Sequence, residues 1–351
     1  MNDVPARRRV GVAVNPTAAG GRGLDTGRFV AARLRSAGLD VTDLTGRDAV
    51  DATARATTAV RDGAVDALVV VGGDGMVHVG VQAVAGTGVP LGVVAAGTGN
   101  DFAAAHRLPV RHAETAVEGL LAALATGHVR PVDAISVTGP AGGRWVAGAV
   151  SAGLDAAVNQ RANTLPARVP ARYALSALAE IAGFRAWAYD LTFTGVVAAG
   201  DLPLAPGPDD TARWRGRAAL VTAANIHRIG GGIRVAPDAR TDDGLLDVVV
   251  APVLTRAAAA TIFPSMFSGR HVRRRDVHVV RARAVTIAAA GPGPDVPGPR
   301  ATGHHAAADL PLAHGDGEAL GPLPVTARAV PAAVLLLATP GAPSGSVAAA
   351  P

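Results

Sequence analysis

The sequence predicts an α/β domain on a parallel sheet, followed by a domain of antiparallel strands. Three observations carry this. Short apolar runs alternate with helix-spaced segments from residue 10 to about residue 132. Beyond that point strands follow one another with few helices between them. Glycine-rich turns close several apolar strands of the first half, as in open α/β sheets whose ligand loops gather at the strands' carboxyl ends.

Residues 10–14 are a first strand, ended by Asn15-Pro16 and a turn-rich stretch. Phe29, Val30 and Leu34 give residues 24–37 helical spacing, 39–44 reads as a second strand, and 49–61 as a helix. Asp66 leads an unbroken apolar run over 67–71 that ends in three valines, the mark of a strand buried on both faces, stopped by Gly72-Gly73-Asp74-Gly75. A helix over 76–84 leads to a strand at 91–95 and then to Gly97-Thr98-Gly99-Asn100-Asp101. Strands alternating with helices require right-handed crossovers, hence a parallel sheet.

In the second half, strands are expected at 146–151, 187–193, 217–223, 246–250, 277–280 and 284–288. Helices are expected at 156–162, 171–183 and 255–268, loops at 195–210 and 291–308, a last strand at 332–338 and a disordered tail from 340.

The 351 residues suffice for about two domains, and with 49% apolar and 17% charged residues both can bury a core. No Cys is present, which excludes disulfides, thiolate nucleophiles and cysteine zinc sites. All 33 basic residues are Arg, so Schiff-base chemistry, a Walker A loop and a protein-kinase site are excluded, since each needs a Lys. A net charge of +5 with 3% aromatics is poor material for stacking single-stranded nucleic acid, and no nucleic-acid partner is expected. The excess charge suits solubility and attraction to an anionic membrane. The apolar run after the first arginines breaks at Asn15-Pro16, too early for a secretory core. Residues 75–100 lack Asp, Glu and Arg but contain His78, Gln82 and Pro90 among many glycines, so they fail as a membrane span. A cytoplasmic protein is expected.

Glycines at strand ends let backbone N–H groups approach phosphate oxygens, and a helix start behind them favours the anion. Each loop taken singly also reads as an ordinary turn. Here the residues become recognisable. The stretch VVVGGDGMVHVGVQAVAGTGVPLGVVAAGTGNDFA resembles the diacylglycerol kinase catalytic domain, whose marker is GGDGT followed by GTxNDFA. Further matches follow in order: Asn15-Pro16; Val150-Ser151-Ala152-Gly153-Leu154-Asp155; Asn225 through Gly232 with Ala236-Pro237-Asp238-Ala239; Asp242-Asp243-Gly244-Leu245-Leu246-Asp247; Gly269-Arg270-His271; and Asp316-Gly317-Glu318. The resemblance spans roughly residues 8–338 and is nearest to the soluble bacterial lipid kinases.

The resemblance implies a Rossmann-like, three-layer α/β domain over 1–133, a C-terminal antiparallel β-sandwich over 134–330 and a return of 331–340 to the first domain, with ATP in the cleft between the two. It implies ATP and Mg²⁺ as cofactors and Glu318 as the base that takes the lipid hydroxyl's proton; the bland reading of Glu318 is a solvated turn residue. Asp74 and Asp101 are implied to organise Mg²⁺, beside the alternative that each caps a helix. Nucleotide contacts are implied at Asn15, Pro16, Thr45, Gly72, Gly73, Asp74, Gly75, Gly97, Thr98 and Asn100. A structural Mg²⁺ is implied at Asp243 with Arg240 and Leu245, where a plain D-D-G turn is the alternative. Asp133 matches a further acidic position.

Met76 stands where the family carries Thr, and His78 and Val79 replace the frequent Asn and Glu. His304-His305 reads as incidental surface histidine, and residues 270–275 either face anionic lipid or form a solvated loop. The expected activity is phosphorylation of diacylglycerol to phosphatidic acid by a protein bound transiently at a membrane, with homodimer formation open. Other hydroxyl acceptors (a sphingoid base, another lipid alcohol, NAD) and a non-catalytic nucleotide-binding regulator are the alternatives.

Overall fold

A computed structural model of the chain describes residues 8–153, 187–252, 256–291 and 312–338. The helices expected at 156–162 and 171–183, Leu154-Asp155, His304-His305 and the tail from 340 lie outside these residues. Two compact units emerge, one within Met1–Ala134, Thr241–Asp243 and Val330–Pro351, the other within Ile135–Arg240 and Gly244–Ala329.

The first unit carries β1 (Arg9–Val14), α1 (Ala18–Gly21), α2 (Gly23–Ser36), β2 (Asp40–Asp43), α3 (Ala49–Arg61), β3 (Ala67–Gly72), α4 (Asp74–Val84), β4 (Leu91–Ala95), α5 (Asp101–Ala105) and α6 (Ala113–Thr126). β2 pairs with β1, β1 with β3 and β3 with β4, all parallel. Leu336, near the end of the last described strand, β15 (Val325–Leu337), pairs in parallel with Leu91. Because β1 has β2 on one side and β3 on the other, the strand order reverses between β1 and β3. The loops behind those two strands therefore open at a topological switch point.

Alternation along the strands explains the three layers. Val10, Val12, Val14, Val69 and Val71 share one core with Val30 and Leu34 of α2 and Val117, Leu120 and Leu124 of α6. Intervening residues face the other side: a Cβ built on Gly11 would meet Leu44, behind β2, and one on Gly80 of α4 would meet Leu91 and Val70. Buried Ala52, Ala56, Ala59 and Val60 give α3 its narrow apolar stripe, and Asp48 caps that helix by accepting from the Asp51 N–H. All six residues of β3 are buried, as its unbroken apolar run requires.

The second unit contains β6 (Gly142–Val146), β7 (Ala149–Gly153), β8 (Trp187–Ala198), β9 (Ala205–Pro206), β10 (Thr211–Ala224), β11 (Leu246–Pro252), β12 (His278–Ala289), β13 (Ala313–Gly315), β14 (Glu318–Gly321) and residues 325–329 of β15. β5 (Val129–Gly139) starts in the first unit and pairs with β6 in the second. The ladders of β10 with β7, β8, β9 and β11, and of β12 with β8, β11 and β15, are all antiparallel. β10 pairs with β8 along its first half and with β11 and β7 along its second, so one long strand serves both layers of the sandwich. Tyr189, Leu191 and Phe193 alternate inward from β8 onto Val221, Val248, Val280 and Val285.

Several boundaries differ from the sequence expectation. The two strands expected at 277–280 and 284–288 are one strand, β12. Arg281 and Arg283 interrupt its apolar run in sequence only, because period-two alternation keeps Val280, Ala282 and Ala284 buried around them. The single strand expected at 146–151 is two, β6 and β7, broken at Ala147-Gly148. Part of the loop expected at 195–210 is ordered as the end of β8 and as β9. The helix expected at 255–268 is present as Arg256–Ser268.

Candidate active site

In the first unit, β1 is followed by Asn15, whose N–H donates to the Val71 carbonyl (2.9 Å). Its side-chain Oδ1 accepts from the N–H (3.0 Å) and hydroxyl (2.9 Å) of Thr17, which fixes the turn over exposed Pro16. Thr45, behind β2, accepts from the Val14 N–H at 3.2 Å, so its hydroxyl is committed to the end of β1.

The two glycine loops touch backbone to backbone. A Cβ built on Gly97 would lie 2.3 Å from Gly73 Cα, and one on Gly72 would lie 3.2 Å from Asn15 Cβ. Such approach is open only to residues without side chains. Gly75, on the first turn of α4, has nothing within 4 Å of the Cβ position and is exposed. The Ala96 N–H donates to the Gly72 carbonyl (2.8 Å), tying the loops together. Buried Asn100 closes the second loop on itself: Oδ1 accepts from the Gly97 N–H (2.9 Å), and Nδ2 donates to the Gly97 carbonyl (2.8 Å). Its φ of +57° is a left-handed conformation that Asn tolerates better than most residues.

Asp74 Oδ1 accepts from the Phe102 N–H at 3.0 Å. It therefore caps the first turn of α5 from across the crevice, and its own helix α4 begins at Gly73 without a side-chain cap. Asp101 is buried at the start of α5. Met76 is buried, with its Cγ 2.5 Å from the Cβ position of Gly72. Thr98 is exposed, and its carbonyl accepts from Arg111 Nη2 (3.1 Å). Arg111 thus brings positive charge to the second loop, a contact no sequence signal announced. Further along, Arg130 Nη2 donates to the His106 carbonyl (2.9 Å). Burial lowers the Arg130 pKa, with Asp242 opposing.

The second unit fixes Glu318 by different means. Asp316 (φ +52°) and Gly317 (φ +88°) are the central pair of a type I′ hairpin turn between β13 and β14. The Asp316 carboxylate accepts from the N–H groups of Ala147 (2.7 Å) and Gly148 (2.8 Å), at the break between β6 and β7. Buried Asn225 holds the same break, with Nδ2 on the Ala147 carbonyl (3.0 Å) and its N–H on that of Gly148 (2.8 Å). Glu318 is the first residue of β14, opposite Gly315, and is exposed. The sequence reading gave Asp316 and Asn225 no role beyond their motifs.

Arg240 is exposed, while Asp243 and Leu245 are half-buried on either side of Gly244 (φ +71°). Buried Asp133 donates its N–H to the Thr241 carbonyl (2.8 Å) and accepts from the Ala332 N–H (2.9 Å), so it ties the returning strand to the first unit. Among the described residues no three His, Asp or Glu side chains gather as a metal cluster.

An open parallel sheet whose glycine turns behind β3 and β4 meet backbone to backbone, with Gly72 beside Asn15 behind β1, defines an α/β protein of the kind whose ligand loops gather at the strands' carboxyl ends. Residues 9–137 match the model of the diacylglycerol kinase catalytic domain, and residues 148–338 match that of the YegS C-terminal NAD kinase beta sandwich-like domain. The chain is 32% identical over 339 residues to a diacylglycerol kinase of Mycobacterium tuberculosis, covering 94% of each protein. It is 31% identical over 243 residues to a "Probable lipid kinase YegS-like" of Xanthomonas oryzae pv. oryzae, covering 66% of this chain and 71% of that protein. The crystal structure of a diacylglycerol kinase from Bacillus anthracis str. Sterne superposes with a TM-score of 0.64 at 17% identity, covering 96% of this chain and 98% of that one, a likeness of fold. The chain therefore belongs to the diacylglycerol kinase family, a family of lipid kinases. No helix among the described residues is long and apolar enough to cross a membrane.

Proposed function

We propose that this chain transfers the γ-phosphoryl group of ATP to the free hydroxyl of diacylglycerol, giving phosphatidic acid and ADP. The observation that carries this is the backbone contact between Gly73 and Gly97, which joins the two glycine turns at the carboxyl edge of the sheet, with Gly72 next to Asn15. In that reading the amides at the first turn of α4 and those of Thr98 and Gly99 receive the phosphates, the Gly97 N–H being held by Asn100 Oδ1. Arg111, already on the Thr98 carbonyl, supplies charge that a lysine supplies in other phosphate loops.

In this reading Mg²⁺ would be held in the first unit by the hard carboxylate oxygens of Asp101 and of Asp74, whose Oδ1 also accepts from the Phe102 N–H, and a second Mg²⁺ by Asp243 with the carbonyls of Arg240 and Leu245. When bound, Mg²⁺ neutralises charge on the phosphates. Glu318 takes the proton of the acceptor hydroxyl as its oxygen bonds to the γ-phosphorus and the bond to the bridging oxygen breaks. Asp316 positions Glu318 by fixing the hairpin in which it sits. The name of the M. tuberculosis relative supports diacylglycerol as acceptor. On this reading the protein meets its substrate at a membrane surface.

The test is incubation with radiolabelled ATP and a panel of diacylglycerol, monoacylglycerol, sphingosine, ceramide and NAD, with and without Mg²⁺. Label in phosphatidic acid that disappears with EDTA is expected. Label in another acceptor with none in phosphatidic acid overturns the choice of substrate, and ATP binding with no transfer favours a regulator.

A further inference from the structure

The helix Arg256–Ser268 ends in an aromatic pair and runs into a dense basic segment. Phe263 and Phe267 stand one helical turn apart with rings edge to face at 5.6 Å, and Phe267 is 46% exposed. A 3₁₀ turn, Arg270–Arg273, follows directly. With three residues per turn, Arg270 and Arg273 share one edge, and both are exposed, as are Arg274, Arg275 and Arg234.

The segment is pinned from beneath. The Met266 carbonyl accepts from the N–H groups of Arg234 (2.9 Å) and Gly269 (3.2 Å). Gly269, at φ +73°, packs where a Cβ would lie 2.6 Å from Pro237 Cγ. Buried His271 bonds the Val235 carbonyl through Nε2 (3.0 Å). Of the arginines, Arg274 is paired with Asp276 (3.0 Å). Arg234, Arg270, Arg273 and Arg275 have no acidic partner among the described residues. Five arginines against Asp238 and Asp276 leave an excess of three positive charges over residues 234–238 and 266–276.

We propose that this face, Phe267 with Arg234, Arg270, Arg273 and Arg275, docks the protein on an anionic lipid bilayer. The pairing of an exposed aromatic with unneutralised arginines is what selects that occupant. Arginines alone would suit any polyanion, but a phenyl ring held in water beside them gains only where hydrocarbon lies within reach of the charged layer. The rigid mounting means that little order is lost on contact. This inference rests on the lipid-kinase reading for its purpose, though not for its geometry.

The full chain is to be sedimented with vesicles of phosphatidylcholine alone and of phosphatidylcholine mixed with phosphatidylglycerol. Binding is expected only to the mixture, weakening as salt rises. At ~1 kcal/mol per arginine near such a surface, each contributes about fivefold, so R270Q/R273Q/R275Q is expected to lower partitioning by on the order of a hundredfold. F267S is expected to weaken it with the charge intact. Phosphorylation of a short-chain diacylglycerol in uncharged detergent is expected to be the same in both variants and the parent chain. Unchanged partitioning of the triple variant, or arginine-dependent binding to DNA with none to the mixed vesicles, overturns the proposal. Failure of the parent chain to phosphorylate any lipid, with partitioning intact, overturns the kinase reading instead.

Discussion

The two units hold their candidate residues by opposite devices. In the first, Gly73 and Gly97 shape the crevice by what they lack, since their backbones meet where any side chain would intrude. In the second, the Asp316 carboxylate shapes the turn before Glu318 by what it adds, two charge-assisted bonds to the amides of Ala147 and Gly148. Acidic residues in glycine turns thus do unlike work in one chain. Asp74 and Asp316 each hold backbone amides, whereas Glu318 is left exposed.

The sharpest break of this comparison is E318Q. Loss of a general base lowers kcat by roughly 10²–10⁴, while an exposed side chain leaves stability within about 0.5 kcal/mol. Steady-state turnover and thermal melting check both halves, and unchanged turnover removes Glu318 from the mechanism. Next comes G97A. With a methyl at 2.3 Å from Gly73 Cα, overpacking is expected to cost ~3 kcal/mol and to weaken ATP binding, whereas G75A, facing open space, changes stability by less than about 1 kcal/mol. Denaturant melts of the two variants, with ATP titrations, test this; equal effects would refute the backbone-contact account. D316N is expected to cost ~2 kcal/mol, because an amide NH₂ replaces one acceptor and faces an N–H group, with kcat falling as the hairpin loosens.

The smallest effect concerns pH. Burial holds His271 below the ordinary imidazole range, with the Val235 carbonyl opposing. The folded state therefore prefers the neutral ring. Its contribution is present above the unfolded value of about 6.5 and is lost as pH falls below it. Melting temperatures at pH 7.5 and 5.5 should fall further in the parent chain than in H271Q, and an equal fall would show that other groups govern acid stability.

Much of the fold was legible because its signals are local. The apolar, valine-ended run of β3 and the alanine stripe of α3 declare themselves within a dozen residues. The glycine turns were legible as turns, and the ordered motifs gave the family. Contacts between distant segments were not legible. Asp74 sits where a local cap is expected, and nothing nearby says that it serves Phe102, 28 residues on. The break at Ala147-Gly148 is invisible in an apolar stretch because Asp316 and Asn225 make it from afar. Arginines within β12 hid one strand as two, since the inward residues beside them, Ala282 and Ala284, are too small to carry a strong apolar signal.

The Asp316 clamp spans 169 positions, and the Leu336–Leu91 pairing joins segments similarly remote. While the chain grows on a ribosome, both early segments wait for partners not yet made. The amides of Ala147 and Gly148 lack their carboxylate, β4 has β3 but not β15, and the hairpin bearing Glu318 does not exist. On the proposed reading, a chain that stops short of residue 318 has its glycine turns but not its candidate base, so the site stays incomplete until that hairpin has been made.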